Sequence, residues 1–198
     1  MRFHYMLVII MLFSTISCDS NNEINDEFVK IGFNVNNNLL SDKSASIENI
    51  FQITFPADYN KIENANFQKV KSIIDFDTTA YFQLSLVTIY NSLSGCSAIL
   101  SKILSENNVF NEIDSSYNNL LFDNFKTKNI NKSKIKINGI NSIQFIITTI
   151  DKVIIKLIFK IKGFYYQLDY IIPFSIYQEK LKSIESSIGS LNKQKEIN

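Results

Sequence analysis

Alternating apolar and polar positions in KLIFKIKGFYYQLDY, residues 156–170, predict two antiparallel strands joined by a tight turn at Lys162-Gly163. In that register Ile161 faces Phe164, Phe159 faces Tyr166, Leu157 faces Leu168 and Ile155 faces Tyr170, so one face is wholly apolar. The other face sets Lys156 opposite Asp169, Lys160 opposite Tyr165 and Ile158 opposite Gln167, and its mixed character predicts a partly solvated surface. A one-residue slip would bring lysines into the apolar row, so the pattern specifies its own register. Ile143, Phe145 and Ile147 are expected to extend the apolar face through an odd-length loop around Asp151, making a three-strand meander.

Upstream, Phe51 to Phe55 alternates as a strand stopped by Pro56, and residues 67–75 fit either a strand, the favoured reading, or a short helix with Phe67, Val70 and Ile74 at helical spacing. Residues 81–90 form a stronger strand, rich in aromatic and branched side chains. Gly95 to Asn107 places Cys96, Ile99, Leu100, Ile103 and Leu104 at helical spacing. The stretch 108–134 reads as less regular, leading into a short strand at Lys134 to Ile137 and a turn at Asn138-Gly139. A closing helix carries Tyr177, Leu181, Ile184, Ile188 and Leu191 on one face, with Ser175 and Gln178 as a capping box. A sheet with two amphipathic helices gives an α+β class.

The first residues follow another logic. MRFHYMLVIIMLFSTISC has one Arg, an apolar run from Phe3 to Phe13, and small or hydroxyl residues ending at Cys18. That order describes a secretory signal over residues 1–17, and the run falls short of the ~20 apolar residues of a spanning helix. Thr15-Ile16-Ser17-Cys18 resembles the lipobox of bacterial lipoproteins, in which cleavage precedes a cysteine that becomes acylated, for example with palmitate. It departs from the common pattern in having Thr15 where Leu is usual. The alternative is an ordinary secreted protein cut nearby. Residues 18–49 are expected to be a tether, with a possible edge strand at Phe28 to Phe33. Residues 50–192 form the single folded domain and 193–198 a polar tail.

The length of 198 residues and 45% hydrophobic content suit one core. Net charge is +1, and loss of residues 1–17 removes Arg2 and no acid, so the mature chain is neutral. No global field is available to hold nucleic acid. The lysines at 156 and 160, with Gln144, Asp151 and Lys152, also rule out a transmembrane reading of 143–161.

The single histidine, His4, lies in the signal, so imidazole triads and histidine zinc sites are excluded from the mature protein. The five glycines, at 32, 95, 139, 163 and 189, form neither a dinucleotide fingerprint nor a P-loop. Asp75-Phe76-Asp77 could bind a cation or share a proton, against an ordinary polar turn. Cys96 has no histidine to activate it and reads as a small core hydrophobe; a disulfide to Cys18 is the rival. Lys126, Lys128, Lys132, Lys134 and Lys136 make a basic stretch that suits either a headgroup-docking patch or a solvated loop.

The order of elements, and above all FYYQLDYIIPFSIYQEKLKSIESSIGSL at 164–191, resembles the PsbP-like family of small exported domains over residues 50–191. The resemblance implies an α/β/α sandwich around an antiparallel sheet, and proteins that bind or assemble rather than catalyse. The reading is therefore of a non-enzymatic lipoprotein with no cofactor, attached through Cys18 to a bacterial envelope membrane, the outer membrane favoured, and engaging a protein partner. The alternative is a carrier of an apolar ligand held between sheet and helices, suggested by 16 Phe and 9 Tyr.

Overall fold

The computed structural model describes residues 28–63, 82–105, 108–125 and 129–194. The strand expected at 67–75 lies outside them. An eight-stranded sheet runs β1 (Val29–Lys30), β7 (Ile130–Ile137), β8 (Ile140–Thr148), β9 (Lys152–Ile161), β10 (Phe164–Pro173), β6 (Ser97–Ile103), β5 (Leu84–Ser92), β4 (Tyr59–Lys61). Every neighbouring pair is antiparallel except β1 with β7. A second sheet joins β11 (Asn192–Lys193), β3 (Phe51–Ile53) and β2 (Ala45–Ile47).

The β9–β10 hairpin has the register that the sequence pattern requires, from Ile161 opposite Phe164 to Ile155 opposite Tyr170. Its turn residues Lys162 and Gly163 both have positive φ, 48° and 85°, as do Asn138 and Gly139 in the β7–β8 turn, 47° and 78°. Paired left-handed residues match the twist of a two-residue hairpin.

One face of the sheet buries Leu157, Phe159, Tyr166 and Leu168 under the small sheet and helix α3 (Tyr177–Gly189). Phe51 of β3 meets the rings of Phe159 at 5.4 Å and Tyr166 at 4.9 Å, both edge-on. Serines at the end of α3 tie the layers together: Ser187 Oγ donates to Thr54 O at 2.6 Å, and Ser190 Oγ, just past the helix, accepts from Thr54 N–H at 2.8 Å. The opposite face is covered by an interrupted helix, made of α1 (Val109–Glu112), a π turn (Ile113–Tyr117) and α2 (Asn118–Phe125). Two helical layers around an antiparallel sheet give the α+β class read from the sequence and the α/β/α arrangement that the family resemblance implies.

The covering helix falls in a stretch that reads as irregular. Its buried stripe is Val109, Ile113, Tyr117 and Leu121, all 0% exposed. A strict four-residue repeat runs about 40° per step ahead of a 3.6-residue helix. The wider π turn in the middle takes up part of that drift and keeps the stripe on the sheet.

Four other expectations are corrected. Within the helix expected at Gly95 to Asn107, residues Ser97–Ile103 instead form the central strand β6, flanked by β10 and β5. Both its faces are covered, so apolar residues fall on both and mimic helical spacing. Ile143, Phe145 and Ile147 pair with Ile158, Lys156 and Ile154, and so lie on the interrupted-helix face. Thr148 pairs with Val153 and Thr149 N–H bonds Lys152 O, so the pairing closes on two residues, Ile150 and Asp151, and not on an odd-length loop. The face bearing Lys156 is therefore not partly solvated: Lys156 is 1% and Asp169 8% exposed. Finally, α3 begins after a 3-10 turn (Phe174–Ile176), its cap is Ile176, and no side chain caps it, so Ser175 and Gln178 make no capping box.

Segment 28–49 carries β1, a 3-10 turn (Asn37–Leu39) and β2, with Leu40 and Ile47 in the core. It docks on α3 where a side chain is missing. A Cβ built on Gly189 would lie 2.5 Å from Phe33 Cβ. Asn36 N–H donates to Ser186 Oγ at 3.1 Å beside that contact.

Candidate functional site

The most unusual chemistry lies on the interrupted-helix face. Lys156 Nζ sits 2.8 Å from Asp169 Oδ1 across the β9–β10 ladder. Gln167 Nε2 donates to Asp169 Oδ2 at 2.7 Å, while Gln167 Oε1 is buried without a donor. Phe145, opposite Lys156 on β8, meets Tyr117 of the covering helix edge-on at 5.3 Å. The carboxylate is thus shared between an ammonium and an amide in a closed layer. Its physical effect is to fix the pairing of β9 with β10.

A second network joins the two sheets. Glu48, held at φ 48°, accepts from Tyr166 Oη at 2.8 Å and from Lys102 Nζ at 3.1 Å. The tyrosine hydrogen bond, with help from the lysine, holds the Glu48 carboxyl below its usual range. Burial pushes the Tyr166 phenol well above its usual range, and the Glu48 carboxylate adds to this. Lys102 Nζ also lies 4.0 Å over the Phe164 ring. These groups latch β2 to the main sheet. A shallow hollow of about 320 Å³ beside them is lined by Ser46, Glu48, Lys61 and Thr88 among others.

The residues singled out by sequence fare differently. Cys18, the candidate lipid attachment, and Asp75 and Asp77 lie outside the described residues. Cys96 is free and 0% exposed, packed with Ala98 and Leu100, with its N–H donated to Ser92 Oγ at 3.1 Å. A thiol so enclosed is a core residue. Lys132 and Lys134 both pair with Asp114 of the interrupted helix, which binds them into the fold; Lys126 and Lys128 are not among the described residues. Burial would raise the Asp114 carboxyl, but the two ammonium groups outweigh it and hold it low.

Sequence reading missed the covering of the Lys156 face, although the four-residue stripe at 109–121 signals a layer to cover it. Between sheet and helices the rings are packed on one another, as with Tyr117 on Phe145 and Phe51 on Phe159. A larger hollow, about 490 Å³, opens instead at one end of the sheet between Phe125, Ile150 and Phe174. No helix among the described residues is long and apolar enough to cross a membrane.

No protein-family model matches the chain, and no curated protein matches it by sequence. Among solved structures it is similar to cyanobacterial PsbP (CyanoP) from Synechocystis sp. PCC 6803, with 10% identity over 82% of this chain and 94% of that one, at a TM-score of 0.50. It also matches a protein from Bacteroides thetaiotaomicron VPI-5482, with 12% identity over 79% of this chain and 50% of that chain, TM-score 0.44. A further match is LpqN, involved in cell envelope biogenesis of Mycobacterium tuberculosis, with 10% identity over 73% and 83% of the two chains, TM-score 0.38. The likeness to the cyanobacterial protein, together with the helix-covered antiparallel sheet, shows that this chain has a PsbP-like fold.

Proposed function

We propose that this chain is a non-catalytic, lipid-anchored protein of a bacterial cell envelope that binds or helps assemble a partner protein. The observation that carries the reading is Thr15-Ile16-Ser17-Cys18 at the end of a signal-like segment, ten residues before the first described residue, Phe28. On this reading the lipid on Cys18 holds the protein at the outer membrane, and the folded domain acts beside it. Two features support a binding role over a catalytic one. Among the described residues, the buried Lys156 and Asp169 are engaged with each other beneath the interrupted helix. The one histidine lies within the signal-like segment. A fold shared with PsbP does not itself supply a function.

Cell fractionation of the full chain and of Cys18→Ala tests the anchor. Wild type is expected in the membrane fraction and the variant in the soluble one; wild type in the soluble fraction overturns the reading. The binding role predicts one protein species cross-linked to the domain at constant stoichiometry. An apolar ligand extracted from the purified protein, with no such species, would instead favour a carrier.

A further inference from the structure

We infer that one end of the sheet is a membrane-facing surface, resting on the bilayer that holds the lipid on Cys18; this rests on the anchored reading above. At that end three neighbouring turns each present a large apolar side chain. Leu93, in the β5–β6 turn, is 104% exposed, Ile150, in the β8–β9 turn, 99%, and Phe174, after β10, 52%. They stand side by side. A Cβ on Gly95 would come 3.6 Å from Pro173 Cγ, and Phe174 N–H donates to Asp151 O at 2.8 Å. A single exposed Leu or Ile carries no meaning, but adjacent turns that all end in one form an apolar rim. The hollow of about 490 Å³ borders this rim at Ile150 and Phe174.

The path of the chain says what the rim meets. Val29 lies level with Ile135, and β1 runs parallel to β7, whose first residue, Ile130, is at the rim end. β1 therefore enters the sheet from the rim side. Val29 stands five residues along β7 from that end, about 17 Å at the rise of a strand. Residues 18–27 can span at most ~33–36 Å, so a lipid on Cys18 reaches the plane of the rim with length to spare. At the opposite end the exposed apolar residues are Leu104, 51%, and Phe164, 46%, and the ammonium of Lys102 lies 4.0 Å over the Phe164 ring.

Charge at the rim is balanced, with Asp151 beside Lys152, and the chain carries only +1. Contact should therefore be apolar and should not need anionic lipid. The chain contains no Trp, so an introduced indole reports without background. Full-length acylated protein carrying Ile150→Trp, Leu93→Trp or Phe164→Trp would be reconstituted into phosphatidylcholine vesicles with brominated acyl chains. Blue-shifted, several-fold quenched emission is expected for Ile150→Trp and Leu93→Trp, and unquenched emission for Phe164→Trp. Protein shown by mass to be acylated, yet with no quenching at either rim position or equal quenching at all three, overturns the docking surface and leaves the anchor standing. Protein that carries no acyl group overturns both.

Discussion

Lys156 Nζ lies 2.8 Å from Asp169 Oδ1, across a strand pair in which the lysine side chain is only 1% exposed. Exposed cross-strand pairs contribute ~0.2–1 kcal/mol, whereas removing one partner of a buried pair leaves an uncompensated charge and costs ~3–5 kcal/mol. Lys156→Ala should therefore destabilise about as much as Phe159→Ala, for which core truncation predicts ~3–5 kcal/mol. The double change Lys156→Met with Asp169→Leu should recover most of the loss. Urea midpoints decide it: a cost below ~1 kcal/mol for Lys156→Ala would mean an open face.

Why this burial is hidden in the sequence is instructive. The lysines, Gln167 and Asp169 sit in the alternating row opposite the core, and alternation fixes register without saying whether a second layer covers the polar row. The layer was encoded elsewhere, in Val109, Ile113, Tyr117 and Leu121, separated by Asn, Asp, Glu and Ser that read as loop. In β6 the ambiguity ran the other way. Ile99, Leu100 and Ile103 suit a helix as well as a strand buried on both faces, and only the pairing with β5 and β10 decides. The hairpin turns were legible because Asn138-Gly139 and Lys162-Gly163 carry their left-handed conformations locally. The candidate anchor at Cys18 lies outside the described residues and rests on the sequence motif alone.

Asp114 clamps Lys132 and Lys134, and its carboxyl is held below the ordinary value of 3.8. A depressed carboxyl contributes stability that is complete above its unfolded pKa and is lost as pH falls through the folded one. The stability difference between wild type and Asp114→Asn should be constant above about pH 5 and shrink as pH falls below 3.8. Acid unfolding followed by circular dichroism on both proteins checks this; a difference that grows on acidification contradicts it.

Asn138 does more than make a turn. Its Nδ2 donates to Gly189 O at 2.8 Å and to Leu191 O at 3.0 Å, capping the end of α3. Asn138→Ala should cost ~1–3 kcal/mol, two hydrogen bonds at ~0.5–1.5 each. Asn138→Asp should cost more, because a carboxylate cannot donate and faces the negative end of a helix. Thermal melts that rank Asp above Ala in stability would refute the cap.

Gly189→Ala would normally strengthen a helix by ~0.8–1.0 kcal/mol. Here the new methyl would meet Phe33 Cβ at 2.5 Å and Val35 Cγ2 at 2.9 Å. The substitution should lower stability and release the segment around Asn36, seen as faster hydrogen exchange of the Asn36 amide bonded to Ser186. Unchanged protection at Asn36 would show that the segment does not depend on this contact.

The functional account stands on Cys18. Intact mass of the protein extracted from membranes, without prior hydrolysis, tests it most directly. The expected product begins at Cys18 and carries acyl groups. A mass equal to an unmodified chain, cut before Cys18 or anywhere near it, would contradict the lipid anchor and the envelope function built upon it.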